Sequence, residues 1–456
     1  MRRTCLALLL TAVLAGPAQA DRLDDALLAE MKRRQVPGLS VLVLKDGKVI
    51  KEKGYGLANV EHAVPVTPQT VFQSGSVGKT FTAALILLLE RDGKLSLDDP
   101  LSRHLPGTPP AWDKITLRHL LSHTSGLGDP YEIIDLRKDY SDEELMALEA
   151  RVPMRFSPGE KWSYSNMGYH LLGFVANRVG GKFYGEQLRE RLFAPLGMGT
   201  RVISESDIIP HRAAGYERKD GVLKNQAWVA PRLNTTADGS LYLTARDLAR
   251  WDQALYGDAI LDARLRQASF TPAKLNDGSD APYGYGWYVD KVKGRRHISH
   301  GGAWQGFRAH LCRYVDDKLT VIILANADSA PPSRFANMVA AHYVPDLFDA
   351  PAKAIADPEP ALTAQVRAAM AGLAAGQAPA GANDELAAKL TPAVLARVAE
   401  ALREAGTLRS VGLLSRKDDA AGRRLRYRFE HDTETLLVSI TLDQGGRFAA
   451  LNFSPE

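Results

Sequence analysis

A serine and a lysine three residues apart are the side chains of this sequence best suited to nucleophilic chemistry. Ser76 and Lys79 stand before an apolar run, Thr80 to Leu89, which predicts a helix buried on every face. We expect Ser76 in the first turn of this helix, and residues three apart share one helix face, so the two side chains should meet. A lysine amine takes the proton of a serine hydroxyl when burial and the helix dipole lower its pKa. The spacing therefore indicates a serine nucleophile with a lysine base.

Three other interpretations compete for the same stretch. A serine and a lysine three apart occur by chance on many surface helices, so the spacing alone carries little weight. Gly78-Lys79-Thr80 matches the end of a phosphate-binding loop, but that motif needs a glycine where the chain has Gln73. The G-x-S-x-G nucleophile elbow needs a glycine where the chain has Ser74. Both rival motifs fail at a named residue.

The first twenty residues have the layout of a secretory signal peptide. Arg2 and Arg3 precede an apolar stretch from Leu6 to Gly16, and Ala18-Gln19-Ala20 supplies the small residues of a cleavage site. The apolar stretch is too short to span a bilayer. We therefore expect cleavage after Ala20 and a secreted or periplasmic protein without a membrane span.

Composition restricts the partners and cofactors. The chain has 57 Lys and Arg against 53 Asp and Glu, and loss of the leader's two arginines brings it nearer to neutral, which gives no electrostatic case for nucleic acid. Cys312 would be the one cysteine left, so no internal disulfide is expected. His119 and His123 are four apart, as in some metal sites, but no third ligand stands nearby. We expect no metal and no cofactor.

Two further motifs give the Ser76 stretch a context. Tyr164-Ser165-Asn166 alone would more often be a loop leading into a helix, and His300-Gly301-Gly302 alone would be a turn. In this order, S-x-x-K, Y-x-N and H-x-G resemble the three signatures of the serine β-lactamase and penicillin-binding-protein superfamily. The pattern is most similar to the branch of class C β-lactamases, D-alanyl-D-alanine carboxypeptidases and family VIII esterases. The resemblance covers roughly residues 25 to 345.

The resemblance implies a role for each motif residue. Ser76 would be acylated by the substrate carbonyl, while Lys79 and Tyr164 would share the proton transfers. Tyr164 would be the base for deacylation, which requires nearby cations, Lys79 above all, to lower its pKa from about 10. Asn166 would orient Lys79 and the substrate amide. The backbone N–H groups of Ser76 and Ala303 would form the oxyanion hole.

The third motif departs from the β-lactamase pattern. The chain has His300-Gly301 where that family has Lys-Thr, and it keeps the final glycine, Gly302. A histidine is mostly neutral at pH 7 and a glycine offers no side chain, so recognition of a substrate carboxylate should be weak. We therefore expect a preference for esters or for neutral and amidated acyl substrates, with slight β-lactamase activity at most.

These observations favour a secreted serine hydrolase of the esterase or D-amino-acid peptidase type, acting on a small-molecule, peptide or ester substrate. The alternatives are a β-lactamase, a penicillin-binding D,D-carboxypeptidase, or a non-catalytic penicillin-binding-like sensor. A nucleotide-dependent protein is disfavoured by Gln73 and by export to a compartment poor in ATP. The sequence leaves the oligomeric state open.

Strands at both ends of residues 21–348, with helices between them, predict an α+β fold. We expect one antiparallel sheet flanked by helices, as an α/β sandwich, with a helical subdomain inserted. From Asp349 the composition shifts to an Ala- and Pro-rich linker, 349–385, with one helix. Residues 386–456 then read as a small α+β domain, loosely similar to cystatin- or NTF2-like modules. A second helix is predicted over Asp384 to Ala405, followed by short strands, of which the clearest begins at Leu425.

Overall fold

A computed structural model describes residues 22–203, 206–239, 241–348, 352–419, 422–432 and 434–455. The predicted signal peptide, residues 1–20, lies outside these ranges. The chain divides into two compact units between Phe348 and Asp349. Among the described residues, none of the helices combines the length and the apolar character needed to cross a membrane.

Eleven strands are described in the first unit. They are β1 Gly38–Lys45, β2 Lys48–Asn59, β3 Val64–Pro65, β4 Phe72–Gln73, β5 Tyr216–Lys219, β6 Val222–Asn225, β7 Tyr242–Leu243, β8 Tyr288–Val292, β9 Arg295–Trp304, β10 Phe307–Tyr314 and β11 Leu319–Ala325. Seven of them form one antiparallel sheet in the order β3-β2-β1-β11-β10-β9-β8. The pairing of β1 with β11 joins the two ends of the unit, as the sequence predicted.

The helices of this unit cover both faces of the sheet. They are α1 Arg22–Arg34, α2 Lys79–Arg91, α3 Leu101–His104, α4 Leu117–Leu121, α5 Asp142–Glu149, α6 Asn166–Gly180, α7 Tyr184–Leu188, α8 Ala245–Ala254, α9 Ala263–Ser269 and α10 Pro332–Tyr343. Single turns complete the set: 3₁₀ turns at Gly75–Gly78, Pro110–Trp112, Pro130–Glu132, Pro231–Thr235 and Pro345–Leu347, and a π turn at Arg189–Phe193. The run from α2 to α7 between β4 and β5 is the predicted helical insertion.

Two hydrophobic cores result from the alternation of side chains along the central strands. Leu42 and Leu44 of β1 enter a core with residues of α2, α4, α6 and α8. Val41 and Val43, one residue out of phase, enter a second core with residues of α1 and α10. Because successive strand residues point to opposite faces, one apolar strand supplies both layers. The predicted fold, a sheet flanked by helices on both faces, is confirmed.

The helix that follows Ser76 is buried as predicted. All residues of α2 from Lys79 to Leu89 are buried, and this helix packs against α6. Ser76 itself was expected in the first turn of that helix. It lies instead in the 3₁₀ turn Gly75–Gly78, directly before α2, so this detail of the prediction was wrong. The 3₁₀ turn starts at Gly75. The φ of this glycine is +49°, a value that does not occur inside a right-handed α-helix.

The described residues of the second unit form a four-stranded antiparallel sheet and three helices. Its elements are α11 Pro360–Ala374, α12 Asp384–Lys389, α13 Pro392–Glu404, β12 Leu408–Asp419, β13 Gly422–His431, β14 Thr435–Leu442 and β15 Phe448–Pro455, with the strands in sequence order across the sheet. One helix from Asp384 to Ala405 was predicted, and this is wrong. Pro392 starts a separate helix, because proline suits the first helical position and Thr391 caps it.

Candidate active site

Lys79 is the centre of the candidate active site. Its Nζ donates to Ser76 Oγ at 3.0 Å, to Asn166 Oδ1 at 2.8 Å and to the main-chain carbonyl of Asp238 at 2.6 Å. The lysine is fully buried, whereas Ser76 is partly exposed. Burial lowers the pKa of Lys79 to about 8, although the carboxylates of Asp238 and Asp129 oppose this shift. An amine with such a pKa exists partly in its neutral, proton-accepting form near neutral pH.

Two glycines let the Ser76 turn lie directly against β9. A Cβ atom on Gly75 would overlap the main chain of Ala303, and a Cβ on Gly302 would overlap the carbonyl oxygen of Ser74. The turn and the strand therefore meet backbone to backbone. Ser76 and Ala303, the two residues predicted to form the oxyanion hole, line the same cavity.

That cavity has a volume of about 170 Å³. Its lining residues are Gly75, Ser76, Tyr131, Asn166, Asp238, Gly239, Ala303 and Trp304. Trp304 forms one wall, with its ring 5.6 Å from that of Tyr131 and its indole N–H bonded to Asn234. Of the described residues in this lining, Asp238 alone carries a charge. The wall of the cavity is therefore anionic and aromatic.

Tyr164 and Asn166 approach Lys79 from the start of α6. Asn166 is the first residue of that helix, and its Nδ2 donates to Asp129 Oδ2 at 3.0 Å, which fixes the amide oxygen toward Lys79. The Tyr164 ring centre lies 5.0 Å from Lys79 Nζ. Both predicted residues thus lie beside Lys79.

The expectation that a neighbouring cation would lower the pKa of Tyr164 is wrong. Burial raises the pKa of this phenol above its ordinary value, and the interaction with the Ser76 hydroxyl offsets the rise only in part. The carboxylates of Asp238 and Asp129 add to the rise, since each disfavours a negative charge on the phenol. The free protein therefore holds Tyr164 as a neutral phenol and proton donor.

His300 sits on β9 as a neutral ring, as the sequence predicted. Its Nε2 lies 2.7 Å from the Tyr283 hydroxyl and its Nδ1 lies 2.6 Å from the carbonyl oxygen of Gly301. Burial, and then the charge of Lys79, lower the pKa of His300 to about 3. The third motif therefore brings no positive charge to the site.

The two histidines considered as a metal pair have separate surroundings. His119 belongs to the cap of α4, where its Nδ1 accepts from the backbone N–H of Thr116 at 3.2 Å. His123 has a left-handed φ of 59°, its ring lies 4.2 Å from that of Tyr164, and its Nδ1 accepts from the Ser165 N–H at 3.2 Å. Within the ranges that the structure describes, no three His, Cys, Asp or Glu side chains cluster as metal ligands.

Sequence reasoning missed a buried ionic group beneath the lysine. His170 lies between Glu149 and Asp238, and Tyr131 and Thr236 also donate to Asp238. One signal was available, because His170 is four residues after Asn166 and so shares its helix face. The two acids are distant in sequence and carried no signal.

The profile of the Beta-lactamase family matches residues 23–346. This chain belongs to the beta-lactamase family. The superfamily resemblance drawn from the three motifs is thereby confirmed. Since the match runs from α1 to the end of the first unit, it contains every candidate site residue named above.

Several members of the beta-lactamase family and its fold are similar to this chain. Penicillin-binding protein 4* of Bacillus subtilis (strain 168) is 32% identical over 334 residues, which cover 68% of this chain and 72% of that protein. A D-aminopeptidase of Gluconobacter oxydans (strain 621H) is 30% identical over 332 residues, which cover 70% of this chain and 61% of that protein. The octameric penicillin-binding protein homologue from Pyrococcus abyssi shares the fold, with a TM-score of 0.65 and 24% identity. The match covers 95% of this chain and 98% of that one.

Proposed function

We propose that this protein is a serine hydrolase that forms an acyl-enzyme on Ser76. The observation that carries the proposal is the fully buried Lys79 amine, 3.0 Å from Ser76 Oγ. With a pKa of about 8, roughly one lysine in ten is neutral at pH 7 and ready to accept the serine proton. The beta-lactamase family contains the relatives that support this reading.

Acylation starts with transfer of the Ser76 hydroxyl proton to the neutral amine of Lys79. Ser76 Oγ then forms a bond to the substrate carbonyl carbon, whose oxygen takes the negative charge. The backbone N–H groups of Ser76 and Ala303, at the contact of the turn with β9, are the donors proposed to stabilise that oxygen. Such donors are worth about 3 kcal/mol each in transition-state stabilisation.

Tyr164 acts in this scheme as a proton shuttle. Its neutral hydroxyl gives a proton to the leaving group, the bond from the carbonyl carbon breaks, and Lys79 restores the proton to the phenol. In deacylation a water molecule gives its proton to Tyr164 as Tyr164 passes its own proton to neutral Lys79, and the water oxygen bonds to the acyl carbon. The bond from that carbon to Ser76 Oγ then breaks, and Lys79 returns the proton to Oγ. Asn166 keeps Lys79 in place through the 2.8 Å hydrogen bond.

The charges around the cavity support a preference for esters and neutral or amidated acyl substrates. His300 is neutral, and the charged group in the described lining is the carboxylate of Asp238. Within the described lining, a substrate carboxylate would meet the carboxylate of Asp238 and no cationic side chain, while the buried Lys79 already donates to Asn166 and to the Asp238 carbonyl. The names of the relatives, one a D-aminopeptidase, agree with amide substrates of D-amino-acid type. We place the protein with the class C β-lactamase, carboxypeptidase and family VIII esterase branch.

The test is mass spectrometry of the protein after incubation with a fluorophosphonate and, separately, with a penicillin. A phosphonate adduct on Ser76 that is absent from Ser76→Ala supports the nucleophile. A long-lived penicillin adduct would favour a D,D-carboxypeptidase or sensor, and rapid penicillin turnover would favour a β-lactamase. No adduct from either reagent would refute the hydrolase and leave a non-catalytic binding module.

Export is part of the proposal as well. It rests on the signal-like residues 1–20, which lie outside the described part of the chain. Expression of the full chain in a bacterial host, followed by fractionation, tests it. A mature protein that starts at Asp21 in the periplasm or medium supports export, and an uncleaved cytosolic protein contradicts it.

A further inference from the structure

Three ionisable side chains are buried next to Lys79, and none of them takes a proton-transfer step in the reaction proposed above. Glu149, His170 and Asp238 are 0%, 1% and 7% exposed. His170 Nδ1 faces Glu149 Oε1 at 2.5 Å, and His170 Nε2 faces Asp238 Oδ1 at 3.1 Å. A neutral imidazole has one N–H and cannot donate to both carboxylates, whereas an imidazolium can. Two carboxylate oxygens this close to one buried ring favour the imidazolium, because a neutral ring would turn one nitrogen lone pair toward a carboxylate.

Asp238 links this ring to the catalytic lysine. Its carboxylate faces His170, and its main-chain carbonyl accepts from Lys79 Nζ at 2.6 Å. Tyr131 donates to the second carboxylate oxygen at 3.0 Å, and Thr236 donates to the first at 2.7 Å. One residue thus holds the lysine with its backbone while its side chain is held from three sides.

We propose that His170 is a positioning residue for Lys79: as an imidazolium between Glu149 and Asp238, it fixes Asp238 and shares its negative charge, which leaves the lysine able to accept the Ser76 proton. This inference rests on the proposed function, because it concerns the base of that reaction. It assigns a task to a group that touches neither the substrate nor the nucleophile.

The direction of the effect follows from the charges around each group. Lys79 is faced by two carboxylates, Asp238 and Asp129, which raise its pKa against burial. Although burial lowers the pKa of His170, Asp238 and Glu149 raise it to about 10, so the ring stays charged near neutral pH. Loss of this cation would leave the charge of Asp238 to act on Lys79 alone. The lysine would then keep its proton to a higher pH.

The other titratable groups close to His170 and Lys79 do not reverse the expected rise in the pKa of Lys79. Tyr131 packs edge-on against His170 and its pKa is raised well above 10, so it stays neutral. Around Lys79 the described neighbours are the phenols of Tyr164 and Tyr169, and His123 and His300 also interact with its charge. The pKa of both histidines is lowered and that of both phenols is raised, so all four are uncharged near neutral pH.

The experiment measures the second-order rate of fluorophosphonate labelling of Ser76 as a function of pH, since this rate needs a neutral Lys79. In His170→Gln, the rising limb of the labelling rate should shift to higher pH by one unit or more. Labelling at pH 7 would fall about tenfold, and labelling at pH 9.5 would approach that of the original protein. Glu149→Gln removes a negative charge instead, so the pH at which its labelling rate rises should stay the same or decrease.

His104→Gln is the matched control. His104 is also buried and also faces a carboxylate, with its Nε2 2.9 Å from Asp99 Oδ2, but it lies on α3 and touches none of the site residues named above. The labelling rate of His104→Gln should rise over the same pH range as that of the original protein. An equal upward shift in His104→Gln, or the same shift in Glu149→Gln, would mean a general loosening and would overturn the inference.

Two further readings keep the inference separate from folding and from the proposed function. Nitrogen NMR of ¹⁵N-labelled histidines in the unsubstituted protein should show both His170 nitrogens protonated at pH 7, and a neutral ring there overturns the inference even if His170→Gln does not fold. Absence of labelling in the unsubstituted protein refutes the proposed function. Normal labelling with an unmoved limb in folded His170→Gln refutes the positioning role alone.

Discussion

The depressed pKa of Lys79 makes a quantitative prediction about the nucleophile. The perturbation is pH itself, varied from 5.5 to 9.5 at constant ionic strength. If Ser76 reacts only when Lys79 is neutral, a pKa of about 8 sets the midpoint of the rate. Relative to the plateau, the labelling rate should be roughly one tenth at pH 7 and roughly one hundredth at pH 6.

A fluorophosphonate suits this measurement because it reports the reactivity of Ser76 without a contribution from substrate recognition. Lys79→Arg supplies the comparison, since a guanidinium keeps the charge but does not act as a base below pH 12. Its rate should be low and without a rising limb in this range. A midpoint near 10, the value for a lysine in water, would refute the argument from burial. So would a limb that persists in Lys79→Arg.

Three further predictions concern other parts of the site. Tyr164→Phe should still label at Ser76 but turn over an alkyl ester roughly a hundredfold more slowly, because the alkoxide leaving group loses its proton donor; unchanged release of acid from an ethyl ester would contradict the shuttle. Gly75→Ala should destabilise the fold by about 1–3 kcal/mol and abolish labelling, because its Cβ would overlap Ala303; Gly93→Ala, also at positive φ but in open space, is the control in thermal unfolding. An acyl ester should be cleaved at least tenfold faster than the same ester carrying an added carboxylate, since the described lining of the cavity contains the Asp238 carboxylate and no cationic side chain; the reverse order in kcat/KM would refute the proposed specificity.

The sequence predicted those parts of the site whose residues are close together in the chain or belong to motifs that occur in the order of a known family. Ser76 and Lys79 are three residues apart at the start of an apolar run that predicts a buried helix, so their meeting follows from spacing even though Ser76 lies in the turn before that helix. The meeting of Tyr164 and Ala303 with Ser76 came from the family resemblance, because no spacing rule connects residues so far apart.

The remainder depends on tertiary packing. Asp238 is 159 residues from Lys79, and Glu149 is 21 residues from His170, so only the folded chain shows that they form one group. The pKa of Tyr164 was misjudged for the same reason, since a sequence gives the neighbouring charges but not the loss of water around the phenol. In the second unit a local signal, Pro392, was present but was outweighed by the helical pattern around it.

The burial of Lys79 also makes the reactivity of Ser76 a reporter of the native state. In an unfolded chain the lysine returns to a pKa near 10.5 and moves away from the serine, so the hydroxyl becomes as inert as any other serine in water. The rate of labelling is then proportional to the fraction of molecules whose first unit is folded. Titration with urea, followed by a short pulse of fluorophosphonate, would measure the unfolding of that unit separately from the second one.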